Sequence, residues 1–449
     1  MKKVITYGTY DLLHQGHVNL LKRAKELGDY LIVGVTNDSF DRERGKLNVR
    51  NNVLERVDAV RDTGLADQIV IEDYIGQKID DIQKYDVDIF AIGSDWEGKF
   101  DYLKEYCEVV YLPRTEGISS TMLRSESEEV VSIGVAGCGR IARRFVPETD
   151  KVDSAVVTSV YDVDPAAAAS LAEGQEVNVC SDYEELVAAV DAVYIATPHV
   201  FHYEQAKYAL EQGKHVLCET PLVLDGQQAR ELYALAESKG LVLLEANKTA
   251  FSPAFRHMVT LVKSGLIGDV VGIDASESKL WGDENLKREL DPALAGGSLY
   301  EMGSYPLLPI AKLLGTDYLN INIYSRMNDN GVDVYTRGVI MHQKAVSSFQ
   351  LGLGVKTEGD LVVSGTKGYV YVPSPWWKTD YFELRYEDQN KNKKYFYTWD
   401  EPGLRYEIQE FVSCIVNSRM VSSRLTPKES IFMADVMHQF AQRKNFFEI

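Results

Sequence analysis

The sequence of 449 residues predicts an α/β protein in which two parallel-sheet units precede an α+β domain with a large, mostly antiparallel sheet. Three observations support this fold class. A β-like run passes directly into a helix-like run over residues 4–27, and the same pattern starts again at Val130. From Val270 to Val372 strand-like runs dominate, until a helix-like pattern begins at Arg405.

Two histidines stand at the first junction of strand and helix, in the sequence YGTYDLLHQGH of residues 7–17. Such a junction exposes free backbone N–H groups and the positive end of the helix dipole, which favours a bound phosphate. His14 and His17 can face one ligand, while Gly16 leaves room for it. The pattern predicts a site that stabilises a phosphoryl group during transfer by positioning. An HxGH sequence also arises by chance, and a histidine at a helix start is often only a cap.

A second phosphate-binding pattern follows another strand of the same unit. The segment 114–121, RTEGISST, comes after the apolar run 109–112 and leads into a predicted helix start at Ser119 and Ser120. It offers an arginine, hydroxyl donors and backbone N–H groups to an anion. Two such segments after two strands of one small unit predict a nucleoside triphosphate site.

Residues 1–125 resemble the glycerol-3-phosphate cytidylyltransferases of the HxGH nucleotidyltransferase superfamily, which implies a Rossmann-like domain. The resemblance is carried by GTYDLLHQGH, by GDY at 28–30, by SDWEGKFD at 94–101 and by CEVVYLP at 107–113, which runs into RTEGISST. It implies cytidylyl transfer from CTP, with His14 and His17 as catalytic residues. The implied CTP-binding residues are Thr9, Tyr10, His14, His17, Lys46, Asp95, Arg114, Thr115, Ser119, Ser120 and Thr121.

The resemblance also implies polyol-phosphate contacts from Arg44 and Lys78. The family usually has lysine at the position of Arg44. A forked guanidinium therefore replaces a point charge at this phosphate contact, and the resemblance leaves the identity of the polyol phosphate open. The charge of the triphosphate needs neutralising, from which we expect Mg²⁺ with Asp11 as a candidate ligand.

The formal charge of −19 argues against general affinity for nucleic acid or membrane surfaces. Anionic substrates must then be held locally, for example by Arg42, Arg44, Lys46 and Arg50, although such a run is also typical of a solvated loop. No apolar run reaches the roughly 20 residues needed to cross a bilayer. Five scattered cysteines without a CxxC pair, and an N-terminus that enters a strand without an evident signal peptide, predict a cytoplasmic protein.

A dinucleotide-binding fingerprint opens the second unit. A buried-type strand at 130–136 leads into GCGRIA. In this turn Gly137 permits a tight bend, Gly139 admits a pyrophosphate, and Ala142 allows the helix to pack closely on the strand. The context of strand, turn and helix predicts a nicotinamide dinucleotide site.

Asp162 follows the next predicted strand, 155–161, at about the spacing of a ribose-binding carboxylate. A carboxylate there accepts hydrogen bonds from the ribose hydroxyls and repels a 2′-phosphate. We therefore expect NAD rather than NADP. The alternative is that Asp162 only caps a turn with Asp164.

Polar residues follow three later strands of the predicted parallel sheet. Because ligands lie beyond the carboxyl ends of such strands, we expect these residues to surround a nicotinamide ring. They are Thr197, Pro198, His199 and His202 after one strand, Glu219, Thr220 and Pro221 after the next, and Asn247 and Lys248 after the third.

Residues from 130 to about 445 resemble the glucose-fructose oxidoreductase/inositol dehydrogenase/MocA family. The motifs are VAGCGRIA, ATPHVFHYEQAKYALEQGKHVLCETPL, DPALAGGSLYEMGSY, SGTKGYVYV and LTPKES. The resemblance implies an NAD-binding Rossmann domain, an α+β domain, and hydride transfer between NAD(P) and a sugar-like carbinol or carbonyl. The implied cofactor-binding residues are Gly137, Gly139, Arg140, Ile141, Asp162, Thr197, Pro198, His202 and Glu219.

The family's acid/base residue falls at Tyr305, whose phenol suits proton exchange with an alkoxide if a cation is near. The family's lysine between Glu and Pro is Thr220 here, which brings no charge. Lys248 is the candidate replacement and a predicted catalytic residue. The alternative reading is an exposed loop lysine, with an NAD-binding domain that has lost its chemistry.

The sequence predicts a cytidylyltransferase domain at 1–125, a dinucleotide-binding domain at 130–248 and a substrate and dimerisation domain at 249–449, with a short acidic linker near 125–129. The leading hypothesis is a bifunctional enzyme that makes a polyol phosphate with NADH and activates it with CTP, for cell-surface polymers. Alternatives are a non-catalytic second domain or a reductase that acts on the CDP-linked sugar. We expect a homodimer or higher homo-oligomer.

Overall fold

A computed structural model of the protein describes residues 1–37, 40–41, 49, 53–74, 76–113, 130–280, 288–397 and 402–449. Within them the chain divides into two compact units, Met1–Val130 and Val131–Ile449. The predicted α/β class with parallel Rossmann-like sheets and a third, larger sheet is confirmed.

Five parallel strands form the sheet of the first unit in the order β3-β2-β1-β4-β5. Because the order reverses between β1 and β4, a crevice opens beyond the carboxyl ends of these strands. Val4 of β1 is buried in the core on one side of the sheet, and its neighbour Ile5 in the core on the other side. The elements are β1 (Lys3–Gly8), α1 (Gln15–Lys25), β2 (Tyr30–Thr36), α2 (Val53–Asp62), β3 (Gln68–Glu72), α3 (Gln77–Tyr85), β4 (Ile89–Gly93) and β5 (Glu108–Leu112).

A second parallel sheet begins the second unit, in the order β11-β10-β9-β6-β7-β8. Its order reverses between β6 and β9, so a ligand crevice is expected beyond these two strands. The strands are β6 (Val131–Ala136), β7 (Ala155–Tyr161), β8 (Asn178–Val179), β9 (Ala192–Ile195), β10 (His215–Glu219) and β11 (Leu243–Ala246). The helices are α4 (Ala142–Thr149), α5 (Pro165–Ala172), α6 (Tyr183–Ala188), α7 (His202–Glu211) and α8 (Gly226–Lys239).

The large sheet of the second unit has the order β19-β18-β17-β16-β12-β15-β14-β13-β20. In the described part of the chain only the pairs β12–β15 and β13–β20 are parallel, which confirms the expectation of a mostly antiparallel sheet. Its strands are β12 (Val270–Lys279), β13 (Asn320–Met327), β14 (Asp333–Met341), β15 (Val346–Leu353), β16 (Leu361–Gly365), β17 (Tyr369–Val372), β18 (Tyr381–Arg385), β19 (Lys393–Phe396) and β20 (Phe446–Glu448).

Helices accompany this sheet and carry several candidate site residues. They are α9 (Lys248–Phe251), α10 (Pro253–Lys263), α11 (Ser298–Met302), α12 (Ser304–Leu314), α13 (Arg405–Val416) and α14 (Pro427–Ala441). Along β14 and β15 the side chains alternate in exposure: Ile340 and Phe349 are fully buried, whereas Met341 and Val346 are about half exposed. The outward row forms an open, partly apolar sheet face.

Candidate active sites

The imidazole rings of His14 and His17 are stacked at the start of α1, with centroids 3.9 Å apart and planes 23° from parallel. His14 is the N-cap of the helix, and its Nδ1 accepts a hydrogen bond of 3.0 Å from the backbone N–H of Gly16. A neutral ring that accepts at Nδ1 carries its proton on Nε2. Tyr10 lies edge-on to His17 at 5.5 Å, so the predicted histidines and Tyr10 form one cluster.

The loop between β1 and α1 is held in an unusual conformation. Tyr10 and Leu12 have φ angles of 54° and 45°, in the left-handed region that such side chains rarely adopt. Each strained residue of this kind costs on the order of 1–3 kcal/mol and is typical of functional loops. Asp11, the candidate Mg²⁺ ligand, is buried between them.

Buried Arg56 of α2 fixes the first part of this loop. Its Nη1 donates to the carbonyl oxygen of Thr9 at 2.8 Å and to that of Thr36 at 2.8 Å, and pairs with Asp41 at 3.1 Å. Asp41 in turn accepts a hydrogen bond of 2.9 Å from the hydroxyl of Thr9. Thr9 is therefore held through both its backbone and its side chain. Sequence reasoning missed Arg56 and Asp41, because nothing in a helical charge pattern marks one arginine as buried.

Lys78, a predicted polyol-phosphate ligand, is buried on α3. Its ammonium group pairs with Glu72 and lies 4.6 Å from the centre of the Tyr7 ring. The hydroxyl of Tyr7 donates to Asp81 at 2.8 Å. The lysine charge is thus already balanced by a carboxylate.

The other predicted residues of this site divide into two groups. Asp95 is exposed in the turn after β4, the strand next to β1. The remaining ones lie outside the described residues: Arg44, Lys46, Arg114, Thr115, Ser119, Ser120 and Thr121.

The turn after β6 has the geometry that the GxGxxA pattern predicts. Gly137 has φ of 91°, and a Cβ atom there would stand 2.7 Å from the backbone of Ala196, so only glycine fits. A Cβ atom on Gly139 would meet nothing within 4 Å, which leaves space for a pyrophosphate. Ala142 is fully buried. The turn therefore fits the phosphates of a dinucleotide.

Asp162 stands at the end of β7 beside this turn. Its Oδ2 accepts a hydrogen bond of 2.7 Å from the backbone N–H of Cys138, and its Oδ1 accepts one of 2.9 Å from the N–H of Asp164. Each carboxylate oxygen has a second acceptor site, so both remain able to receive ribose hydroxyls. The residue serves as the turn cap that the alternative reading predicted, and its position still suits a ribose.

Arg140 and Ile141 complete the turn. Ile141 is the residue directly before α4. Arg140 has Nη2 at 3.6 Å from a carboxylate oxygen of Glu289, which precedes the glycine pair Gly296 and Gly297. The phosphate-binding turn is thus connected to the segment that leads towards Tyr305.

His202 is fully buried, although it was predicted to bind the cofactor. Its two ring nitrogens each lie 2.8 Å from a carbonyl oxygen, Nδ1 from that of Pro221 and Nε2 from that of Thr197. Burial, reinforced by neighbouring His199, lowers the pKa of His202 to about 4. The ring joins the loops after β9 and β10, and its side chain faces protein on both edges.

His199 belongs to a series of polar contacts next to the glycine pair Gly296 and Gly297. Its Nδ1 lies 3.3 Å from the carbonyl oxygen of Ala295, and its Nε2 lies 3.7 Å from Glu301. Glu301 also pairs with Arg288 at 2.7 Å. Burial, together with the charge of Arg288, lowers the pKa of His199 to about 3, so this histidine is neutral.

The charges of three carboxylates, those of Glu219, Glu277 and Glu407, act on both Lys248 and Tyr305. Lys248 begins α9 directly after β11, and Tyr305 lies in the first turn of α12. Both side chains are partly exposed, whereas Glu277 and Glu407 are buried. The structure therefore brings the predicted catalytic pair into one electrostatic cluster.

Burial controls the charges in this cluster. It raises the pKa of Glu219 to about 7 and that of Glu277 to about 7, and it raises the pKa of Glu407 further, with help from the charge of Glu219. Burial also lowers the pKa of Lys248, and the three carboxylates act against this lowering. It raises the pKa of Tyr305. Glu219 and Glu277, whose pKa values lie near neutral pH, are therefore suited to proton exchange.

Thr220 occupies the position of the family's lysine, and its hydroxyl donates to Glu245 at 3.0 Å. Glu245 also accepts from the N–H of Leu222 at 3.2 Å and from the hydroxyl of Ser304 at 3.4 Å. Thr220 is therefore part of a hydrogen-bond network around Glu245 and supplies no cation. The buried Glu245, Glu277 and Glu407 were not identified from sequence, since isolated glutamates in apolar runs carry no motif.

Among the described residues, no group of three or more His, Cys, Asp or Glu side chains could hold a metal ion. A single carboxylate is still compatible with Mg²⁺, which takes most of its remaining ligands from water and phosphates. No helix in the described ranges is both long and apolar enough to span a membrane.

Comparison with known families assigns both units. Residues 5–126 match the cytidylyltransferase-like family. Residues 131–247 match the NAD-binding Rossmann fold of the GFO/IDH/MocA oxidoreductase family, and 255–371 match the C-terminal domain of that family. The first unit is 53% identical over 131 residues to glycerol-3-phosphate cytidylyltransferase of Bacillus spizizenii, covering 28% of this chain and 97% of that enzyme.

The second unit has relatives of almost full length. Trans-1,2-dihydrobenzene-1,2-diol dehydrogenase of Oryctolagus cuniculus is 30% identical over 325 residues, covering 68% of this chain and 96% of that enzyme. The chain belongs to both families. It is a cytidylyltransferase fused to a GFO/IDH/MocA-type NAD(P) oxidoreductase domain. A 3-ketoreductase of Actinomadura kijaniata, solved with NADP and TDP-benzene, shares the oxidoreductase fold, with a TM-score of 0.64 at 23% identity over 71% of this chain and 98% of that one.

Proposed function

We propose that the protein is a bifunctional enzyme that reduces a keto or aldehyde sugar phosphate to a polyol phosphate and then couples it to the cytidylyl group of CTP. The stacked pair of His14 and His17 at the N-terminus of α1 carries the transferase half of this proposal. The three carboxylates that Lys248 and Tyr305 share carry the reductase half. The CDP-polyol would serve synthesis of teichoic-acid-like or capsular polymers.

In the transferase, an oxygen of the polyol phosphate attacks the α-phosphorus of CTP, the bond to the β-phosphate breaks, and pyrophosphate leaves. Negative charge grows on the phosphate oxygens during this displacement. The Nε2–H of His14, together with His17, donates to those oxygens, while the backbone N–H groups of α1 add their dipole. Arg56 holds Thr9 so that the loop is organised before CTP binds.

In the reductase, bound NADH supplies the hydride to the carbonyl carbon. Tyr305 gives its phenolic proton to the carbonyl oxygen, and Lys248 stabilises the oxygen as it gains charge. Glu219 and Glu277, whose pKa values are raised by burial to about 7, return a proton to Tyr305. These roles leave Thr220 and Glu245 to position the loop after β10.

The preferred cofactor is NAD(H), because the carboxylate of Asp162 stands where an adenosine ribose is expected. The pyrophosphate of the cofactor would be held by the turn after β6, with Gly137, Gly139, Arg140 and Ile141. The nicotinamide would be bordered by Thr197, Pro198 and Glu219, and the ring of His202 contacts the loops after β9 and β10.

A second candidate function is a non-catalytic module that binds NAD or a sugar. The observation that favours it is the hydrogen bond from the Thr220 hydroxyl to Glu245, at a position where the family has a catalytic cation. A variant of the first proposal, in which the reductase acts on the CDP-linked sugar, would reverse the order of the two reactions.

We also propose that the protein forms a homodimer through the open face of the large sheet. Met341 and Val346 are paired neighbours on β14 and β15 and are about half exposed, and Tyr369 adds an aromatic ring on β17. Val346→Asp should yield a monomer by light scattering, whereas a wild-type monomer would contradict the proposal.

A screen of phosphorylated ketoses and aldoses with CTP and NADH tests the bifunctional assignment. Pyrophosphate and NADH are read separately, so that each half reports by itself. One substrate should give NADH oxidation first and pyrophosphate only after reduction. NADH binding without oxidation of any sugar phosphate or CDP-sugar would favour the non-catalytic module.

A further inference from the structure

Tyr194 is a fully buried tyrosine on β9, and its hydroxyl donates to the carboxylate oxygen Oε1 of Glu219 at the end of β10. The register of the two strands explains this contact. Tyr194 is paired with Leu217, and side chains two residues apart on a strand point to the same side of the sheet. Glu219 therefore lies on the same side as Tyr194. No step of the proposed reduction uses this tyrosine.

The ring of Tyr194 is held in place by the helix that follows the phosphate-binding turn. It stacks on Phe145 of α4, with ring centroids 3.6 Å apart and planes 8° from parallel. Phe145 is also fully buried. Because α4 begins directly after the glycine turn, one aromatic stack connects that turn to the carboxylate at the end of β10.

Glu219 itself is only partly buried. Its Oε1 accepts from Tyr194, and its Oε2 accepts a long hydrogen bond of 3.4 Å from the backbone N–H of Thr220. The carboxylate is thus fixed from inside the protein through Tyr194 and borders the open end of the sheet on its other side.

The strand order brings Glu219 to the part of the sheet where a nicotinamide ring is expected. Asp162 follows β7, the glycine turn follows β6, and Glu219 ends β10, two strands beyond β6. Neighbouring strands are about 4.8 Å apart, so the end of β10 lies about 10 Å from the phosphate-binding turn. A dinucleotide with its adenosine at Asp162 and its pyrophosphate at the turn extends in this direction.

The charge of Glu219 depends on the groups around it. Burial raises the pKa of Glu219 to about 7, whereas the hydrogen bond from Tyr194 and the charge of Lys248 lower it. Burial also raises the pKa of the Tyr194 hydroxyl well above its ordinary value, so this group stays protonated and remains a donor. The titratable groups that act on Glu219 from the surrounding elements are Tyr194, Cys218, Glu245, Lys248, Tyr305 and Glu407.

We propose that Tyr194 is a positioning residue that holds Glu219 as an anion beside the nicotinamide ring, where the carboxylate favours NAD⁺ over NADH. The oxidised ring carries a positive charge that the reduced ring lacks, so a neighbouring carboxylate attracts only the oxidised form. Tighter binding of NAD⁺ makes hydride donation from bound NADH more favourable. This inference rests on the proposed function for the position of the nicotinamide, and it requires no turnover.

Equilibrium binding of NAD⁺ and NADH to the full-length protein, from about pH 6 to about pH 9, tests this role. NADH is followed by its fluorescence, and NAD⁺ by its displacement of NADH. In wild type the Kd for NAD⁺, divided by the Kd for NADH, should fall about five-fold or more as Glu219 ionises. Glu219→Gln should remove this step, because an amide does not titrate.

Tyr194→Phe keeps the ring on Phe145 and removes only the hydroxyl. It should move the midpoint of the step to higher pH by about one unit, the scale of a lost hydrogen bond to a charged group. Tyr208→Phe, which removes a tyrosine hydroxyl on α7, is the matched control and should leave the midpoint unchanged.

A midpoint that is the same in wild type and Tyr194→Phe would overturn the role of Tyr194. A Kd ratio that does not change with pH in wild type, or a step that persists in Glu219→Gln, would overturn the position of Glu219 beside the ring and the proposal with it. Failure to reduce any sugar phosphate would count against the reductase half of the proposed function alone, since binding is measured without a substrate.

Discussion

The Nδ1 atom of His14 accepts a hydrogen bond of 3.0 Å from Gly16, two residues further along the chain. One histidine thereby caps α1 through Nδ1 and, as a neutral ring, carries its proton on Nε2. The first prediction concerns this arrangement and its stacked neighbour His17. Replacing either histidine with alanine should lower cytidylyl transfer by about 10² or more, the scale of one lost oxyanion donor.

The measurement is steady-state pyrophosphate release, with kcat and KM for CTP determined separately. Gln15→Ala, on the exposed side of the same turn, is the control and should change kcat little. A histidine variant with near-normal kcat and only a raised KM for CTP would show that these residues bind the ground state instead.

Cytidylyl transfer should depend on Mg²⁺. The triphosphate carries several negative charges that need neutralising, and the carboxylate of Asp11 is buried in the loop between β1 and α1. Pyrophosphate release should vanish in excess EDTA and return with added Mg²⁺. Full activity without a divalent ion would refute this expectation.

Asp162 should set the preference for NADH. A 2′-phosphate beside its carboxylate meets like charge in a partly desolvated site. Asp162→Ala should therefore bring the Kd values for NADPH and NADH, measured by nucleotide fluorescence, closer together. Glu176→Ala, a change at an exposed position, is the control and should leave the ratio of the two Kd values unchanged. Tighter binding of NADPH than NADH to the wild-type protein would contradict the role given to Asp162.

Tyr305→Phe should abolish reduction and leave NADH binding and cytidylyl transfer intact, because only the phenolic proton is removed. Lys248→Ala should weaken reduction strongly, whereas Thr220→Lys should raise it by restoring a charge next to Glu245. NADH oxidation with the substrate from the screen is the assay. Wild-type rates in both Tyr305→Phe and Lys248→Ala would remove these residues from the mechanism.

The stability of the second unit should fall between pH 6.5 and pH 8. Burial raises the folded-state pKa of Glu219 and Glu277 to about 7, above the unfolded value of 4.5, so the folded state holds extra protons that it loses in this window. Each carboxyl should contribute on the order of 1 kcal/mol to the change. Below pH 6.5 the buried His199 and His202 make stability rise with pH instead. Their folded pKa values are lowered to about 3 and about 4, so the unfolded state holds the extra protons there.

Denaturant unfolding of the second unit at several pH values measures this slope. Glu277→Gln should make this slope shallower, since a neutral amide of similar size no longer titrates. Glu237→Gln, at an exposed position on α8, should keep the full slope. A flat profile for the wild-type protein would mean that water reaches these carboxylates.

Sequence patterns located the turns after β1 and β6 but missed most of the buried polar groups. The HxGH and GxGxxA turns can be recognised from the sequence, because a turn between a strand and a helix needs glycines and caps at fixed spacing. The carboxylates of Glu277 and Glu407 come from β12 and α13, more than a hundred residues apart in sequence. Only the packing of the second unit brings them to Lys248. Strands β18 and β19 were also missed, since their mixed polar residues do not alternate cleanly.

The dual contact of His202 has a consequence for protein engineering. One buried ring supports the loop of Thr197 and the loop of Pro221 together. A loop transplanted from a relative to change cofactor preference would therefore disturb the substrate side unless its companion were moved with it. The two loops and the histidine between them should therefore be exchanged together.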